Sequence, residues 1–407
     1  MKNPRRRRAG EPERNPHSPR RCRPAIVPFG TGRAAVGDGM IKSLSVENFR
    51  CFQRFKLNNL RRLNIIVGRN AAGKTALLES IRLARSGTPT AAWSLSSLRG
   101  QPTFMHPNPT PEIFEAPWRS LFLNFDFRNV VKTAFTDVGD RTATLRIFSD
   151  PTRAVTPVFQ PLQPGGVAQP WGAPSPITPV AFERVDLAAK KSTLLATVNQ
   201  PHPQQQPFYQ LHLEPGAELS SGGEFFQSSF QVNSQQAAQW FSALSIANKE
   251  GPIKSAMREE FSFISDLTIQ SPVANISVVY ATMDYLQEKI PLSYVSSGIN
   301  KLFTFMNSIL TFSGSVILID EIENGLHSSI LPHMWEILHR LSSASNVQLF
   351  MTTHSWECLK SALPVIEKSQ NDFSLIRVER DGLCATPKLF NGADLEAALE
   401  EEFDVRQ

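Results

Sequence analysis

One octapeptide restricts this chain more than any other feature. Residues 68–75, Gly68-Arg69-Asn70-Ala71-Ala72-Gly73-Lys74-Thr75, match G-x-x-x-x-G-K-[ST] at every position. Glycines at its two ends let the backbone turn tightly and approach a phosphate, so that successive N–H groups point inward at the start of the following helix. Lys74 is spaced to reach the β and γ phosphates, and Thr75 to offer its hydroxyl to magnesium. The flanks agree. Leu63 to Val67 is an apolar run, and Leu77, Leu78, Ile81 and Ala84 recur at helical spacing behind the loop, which predicts a strand–loop–helix unit of an α/β protein.

A second group of residues completes such a site. Ser315 to Ile319 is a short apolar run ending in Asp320-Glu321, as expected of a strand buried on both faces whose C-terminal end faces the ligand. Asp320 is placed to hold magnesium opposite Thr75, and Glu321 to orient an attacking water, with Glu323 as a nearby rival. Val347 to Thr353 is another buried strand and delivers His354 at its end, suited to contact a γ-phosphate. His327, His333 and His339 lack i, i+4 spacing and read as structural or solvated. Ser296 and Gly298 precede a helical pattern of Leu302, Phe305, Met306, Ile309 and Leu310, which predicts a second anion site at a helix N-terminus.

Between these motifs the pattern changes. Ile41, Leu44 and Val46, a break at Asn48 to Phe52, then Phe55 and Leu57 predict a β-hairpin leading into the loop strand. Residues 86–115 read as loop with one short helix near Ser94 to Leu98. Alternation at 121–127, 142–147 and 208–213 predicts antiparallel strands, and the eight prolines of residues 151–179 predict an exposed excursion. Helices are expected at 237–247 and 253–267, then a strand at 276–281. Beyond His354 the expectation is a helix, a strand from Phe373 to Glu379 and an acidic tail from Leu395 to Phe403.

Charge excludes one ready conclusion. The net +5 suggests nucleic acid, yet residues 1–39 hold ten basic and three acidic residues, which leaves +7 there and −2 in the remainder. The basicity belongs to an Arg- and Pro-rich leader expected to be disordered, and DNA binding by the rest is unsupported by charge. No apolar run approaches the roughly 18 residues of a membrane span. The four cysteines stand far apart with no C-x-x-C pair, which predicts a reduced, cytoplasmic setting.

Taken in order, hairpin, P-loop, long insertion, Ser-x-Gly turn, Asp-Glu strand and Thr352-Thr353-His354-Ser355 resemble the ABC-class ATPase heads of the RecF, SMC and OLD families, above all their compact AAA family relatives linked to abortive infection and phage defence. Residues 40–52, 320–327 and 352–355 carry the likeness. The resemblance implies an α/β P-loop NTPase of the ABC-ATPase head type with a mostly antiparallel β/α insertion. The expected segments are a leader at 1–39, the head at 40–100 and 286–407, and the insertion at 101–285. It further implies ATP and Mg2+ as ligands, Glu321 and His354 as catalytic residues, and Ser296 and Gly298 as a signature serving a partner's nucleotide in a homodimer or higher oligomer. Such a head would drive a conformational or assembly switch, with an effector protein as a further partner. A RecF-like DNA-associated ATPase and a scarcely hydrolysing scaffold remain open alternatives. Val295 and Ile299 stand where transporter heads carry Leu and Gln, and the glutamine loop is placed no better than at Gln101. Only 53 residues follow His354, too few for the Toprim nuclease domain of OLD proteins.

Overall fold

The computed structural model describes residues 39–99, 115–116, 118–154, 178–186, 191–199, 210–213, 224–226, 234–273, 276–382 and 384–406. The expectations for the leader through residue 38, for the excursion at 155–177 and for Gln101 fall outside them.

Two sheets position the site. The strands are β1 (Ile41–Phe49), β2 (Phe52–Asn58), β3 (Leu63–Val67), β4 (Val131–Asp137), β5 (Thr142–Ser149), β6 (Val180–Asp186), β7 (Lys191–Asn199), β8 (Gln210–Leu213), β9 (Glu224–Phe226), β10 (Ile264–Val273), β11 (Ile276–Met283), β12 (Ile290–Pro291), β13 (Val316–Ile319), β14 (Gln348–Thr352), β15 (Phe373–Asp381) and β16 (Cys384–Asn391). A six-stranded core sheet runs β16-β15-β3-β14-β13-β9, and a seven-stranded sheet runs β2-β1-β4-β5-β6-β7-β8. In the core sheet β15, β3, β14, β13 and β9 pair in parallel. The other sheet is antiparallel throughout, so the insertion's strands extend the N-terminal hairpin. β9 lies within the 101–285 range yet forms an edge of the core sheet.

The apolar runs explain why the core strands are parallel and central. Leu63, Ile65 and Val67 of β3, Ile317 and Ile319 of β13, and Leu349 and Met351 of β14 face one cluster. Their alternates Ile66, Leu318 and Phe350 face the other, with Leu77, Leu78 and Ile81 of the P-loop helix α1 (Lys74–Ser86) and Leu44, Val46 and Phe135 of the second sheet. A strand wetted on neither face needs apolar residues at both parities. Helices α2 (Pro89–Leu98), α3 (Ser234–Ile246), α4 (Gly251–Glu260), α5 (Leu292–Val295), α6 (Ser297–Thr311), α7 (Leu331–Ala344), α8 (Trp356–Lys360), α9 (Leu363–Lys368) and α10 (Gly392–Glu400) complete the order. Apolar stripes of α3, α4, α6 and α7 supply the first cluster. Buried Gln348 ties the two sheets together, its amide donating to the Ile41 carbonyl at 2.9 Å and accepting from the Ile41 N–H at 2.7 Å.

Two local expectations are corrected. The alternation at 121–127 predicts a strand, but Leu123–Phe125 is a 3-10 turn. Phe122 keeps a single antiparallel bridge to Phe49. Burial explains this: Leu121, Phe122 and Leu123 are all buried and Phe125 is exposed, so the apolar residues never share one face. The helix expected over 253–267 stops at Glu260, and Ile264 begins β10, registered on β11 from Ile264↔Met283. Helical spacing of Met257, Phe261 and Ile264 misleads there because cross-strand pairing outweighs local periodicity. At the C-terminus the tail is a helix, α10, opened by an Asn391–Asp394 capping box. Among the described residues no helix is long and apolar enough to cross a membrane.

Candidate nucleotide site

The P-loop leaves β3 at Val67 and enters α1 at Lys74. Gly68 (φ +143°), Ala71 (φ +59°) and Gly73 (φ +116°) turn the chain back on itself. A Cβ on Gly68 would stand 2.3 Å from the Val378 carbonyl oxygen of β15, so glycine is needed there for space as well as for angle. Gly68→Ala is therefore expected to lower unfolding free energy by about 1–3 kcal/mol, read from the denaturant midpoint; an unchanged midpoint would show that β15 yields. Gly73 caps α1 without a side-chain bond, which leaves the first-turn N–H groups free of side-chain acceptors.

Hydrogen bonds join the motifs into one network. Lys74 Nζ donates to the Gly68 and Arg69 carbonyls at 2.9 and 3.0 Å. Burial lowers its pKa, against the opposing pull of Asp320, Glu321 and Glu323. Thr75 Oγ1 donates to Asp320 Oδ2 at 2.9 Å, and Thr352 Oγ1 donates to Asp320 Oδ1 at 2.6 Å. The same Thr352 oxygen accepts the Glu321 N–H at 2.8 Å, and Glu321 sits at φ +51°. Glu323 is differently employed: its Oε1 accepts the N–H groups of His354 (2.8 Å) and Ser355 (3.2 Å). Burial and the Lys74 charge lower the His354 pKa from the ordinary histidine value, which disfavours the charged ring.

Asn70, Ala71, Gly73, Lys74, Thr75, Asp320, Glu321 and His354 line one cavity of about 810 Å³, within the range of small-molecule sites. Gly68, Arg69 and Ala72 complete its loop without lining it, and Ser296 and Gly298 stand elsewhere. Ser296 is the N-cap of α6, extended at φ −167°, and its side chain makes no capping bond. A Cβ on Gly298 would lie 2.6 Å from the Gly325 carbonyl oxygen, so this glycine lets α6 close on the loop after Glu321. Lys301 of α6 reinforces that contact, donating to the Glu321 and Asn324 carbonyls at 3.0 and 2.7 Å. His327 turns its ring to Ser329, His333 pairs with Glu260, and His339 with Asp372.

Several cavity residues escape sequence reasoning. Arg50, Arg99 and Arg380 join Lys74 on the wall. Buried Glu79 of α1 holds two of them, Arg50 Nε at 2.7 Å and Arg99 Nε at 2.8 Å. Burial, offset by Glu79, brings the Arg50 guanidinium down to about 10. A lone carboxylate four residues after Thr75, among the inward Leu78 and Ile81, was the available signal, since a buried charge requires partners. Thr75 and Asp320 present a hydroxyl and a carboxylate side by side, hard oxygen donors that fit Mg2+. Among the described residues no group of three or more His, Cys, Asp or Glu could hold a metal ion.

Among solved structures the chain is similar to an SMC head bound to the C-terminal winged-helix domain of ScpA (12% identity, TM-score 0.45, 88% of this chain and 99% of that one). It is also similar to an Smc head with extended coiled coil bound to the C-terminal domain of ScpA, derived from Pyrococcus furiosus (11%, TM-score 0.44, 89% and 99%). In sequence it is 24% identical over 398 residues to a Helicobacter pylori protein named ATP/GTP phosphatase, covering 89% of this chain and 99% of that one. Residues 40–88 and 223–359 match the family described as AAA ATPase domain. The match omits most of the antiparallel strands that ride on the hairpin, resumes just before β9 and ends before β15; it takes in β3, β14, β13 and β9 of the core sheet with the phosphate loop, and over those residues the chain is similar to an AAA ATPase domain.

Proposed function

We propose that the cavity binds ATP with Mg2+ and hydrolyses its γ-phosphate bond, and that two heads close around the nucleotide to drive an assembly switch. The observation that carries this is the hydrogen-bonded path from Thr75 through Asp320 and Thr352 to the Glu321 N–H, which couples the phosphate loop to the carboxylate-bearing end of β13, two strands away across β14. The P-loop N–H groups and Lys74 hold the phosphates. Thr75 and Asp320 would hold the metal ion, which would supply neutralisation of the phosphate charge. Glu321 orients the attacking water and accepts its proton, a role for which Glu323 is less suited because it does not line the cavity and its Oε1 already accepts from the His354 and Ser355 amides. His354 faces the same cavity as a hydrogen-bond partner. Mg2+-dependent phosphate release from ATP by the full chain tests the reading; firm ATP binding without release would favour a scaffold.

Dimer closure is supported by Ser296, whose hydroxyl lies outside its own chain's cavity and makes no capping bond. A partner's γ-phosphate would meet it together with the α6 N-terminus. Ser296→Arg is expected to keep ATP affinity and to remove the ATP-dependent doubling of mass. Light scattering behind a sizing column, with ATP and Mg2+, gives the answer; a variant that still doubles its mass excludes this surface.

A further inference from the structure

We propose that the turn at residues 120–125 is the nucleobase wall of the cavity, with the Phe125 ring stacking on the base of the bound nucleoside triphosphate; this rests on reading the P-loop cavity as the nucleotide site. Phe125 is 62% exposed, whereas its neighbours Phe49 and Phe122 are at most 1% exposed, so it contributes little to the core. It nevertheless lines the same cavity as Asn70, Ala71 and Lys74, beside Ser120 and Asn124. The cavity thus combines two chemistries, cationic side chains for a polyanion and an open aromatic face with polar companions for a planar heterocycle.

The backbone holds the ring there at a cost. Asn124 (φ +55°) and Phe125 (φ +59°) are consecutive left-handed residues, a conformation that asparagine tolerates and a bulky aromatic residue does not favour. It persists because the turn is over-determined. The Phe125 N–H donates to the Phe122 carbonyl at 3.0 Å, Arg119 Nε to the Phe125 carbonyl at 3.3 Å and Asn129 Nδ2 to the Leu123 carbonyl at 3.2 Å. The turn is also fixed to the hairpin beside the P-loop, through the Phe49↔Phe122 bridge and the Arg50 N–H on the Leu121 carbonyl at 3.0 Å. Cys51, next along that hairpin, packs where a Cβ of Gly73 would come within 2.8 Å of its sulfur. Ring and phosphate loop are therefore held by one rigid piece of structure, as a nucleotide spanning both requires.

Stacking of a base on an aromatic side chain typically accounts for tenfold or more in affinity, so Phe125→Ala should weaken ATP binding by about tenfold. It should raise KM by the same factor with little change in kcat, and Phe125→Trp should restore both. Tripolyphosphate, which has no base, is the discriminating probe: titrated with Mg2+ into the full chain, it should bind the natural protein and Phe125→Ala equally. An equal loss for ATP and tripolyphosphate would overturn the proposal, because the turn would then be a prop for the P-loop. So would an unchanged ATP affinity in Phe125→Ala while Lys74→Ala has lost it. If Lys74→Ala keeps full ATP affinity, the nucleotide reading of the cavity falls, and the base wall with it.

Discussion

Replacing Glu321 by glutamine is expected to slow ATP turnover by about 10²–10⁴, the usual contribution of a positioned base, while ATP binds at least as well. The structure separates the two effects. What fixes residue 321 is its main chain: the N–H on Thr352 Oγ1 and the carbonyl under Lys301 Nζ. Neither bond involves the carboxylate, so glutamine inherits the same position and the same left-handed φ of +51°. One negative charge beside the phosphates is removed, which favours the bound polyanion, and the acceptor for the water's proton is lost. Steady-state phosphate release and equilibrium ATP binding, measured on the same preparation, decide the matter. An unchanged rate would move the base elsewhere. Glu323→Gln is the informative companion: the glutamine amide oxygen can still accept from the His354 and Ser355 N–H groups that Glu323 Oε1 holds, so the turn is kept and a rate loss there would report on the carboxylate itself.

Much of this arrangement is legible in the sequence where the physics is local. The P-loop reads directly because glycine spacing, an apolar strand and a helical stripe all occur within 24 residues. The Asp320 and His354 strands read because burial on both faces demands uninterrupted apolar runs. What resists reading is decided at long range. The turn at 121–127 alternates like a strand, yet its burial is set by docking on the β1–β2 hairpin, some seventy residues earlier. β10 looks helical until β11 pairs with it. The Arg50–Glu79–Arg99 cluster joins a turn, a helix and a helix end, and no spacing rule links three such places. β9, three residues long, offers too short a pattern to distinguish a core edge strand from loop.

Lys74→Ala is expected to weaken nucleotide binding by at least about tenfold while leaving the fold intact. Charge-assisted hydrogen bonds contribute about 1.5–3 kcal/mol each, so losing the only lysine on the loop should weaken ATP by one to several factors of ten. Fold survival is less obvious than for a surface ammonium, because Lys74 is only 6% exposed. Two opposing terms meet at this position. Alanine deprives the Gly68 and Arg69 carbonyls of their donor, at about 1 kcal/mol each where water cannot replace it. It also removes a cation whose burial is unfavourable enough to lower its pKa, and water entering the cavity can take up the two carbonyls. The unfolding midpoint should therefore move by no more than a few degrees. Ligand linkage turns this into one measurement: at a hundredfold excess over its Kd, ATP with Mg2+ should stabilise the natural protein by about 2.7 kcal/mol, a clear rise in midpoint. At the same ATP concentration Lys74→Ala should keep about half of that rise if binding is tenfold weaker and almost none if it is a thousandfold weaker. A variant that melts normally and still gains the full ATP shift would mean that the phosphates bind somewhere other than this loop.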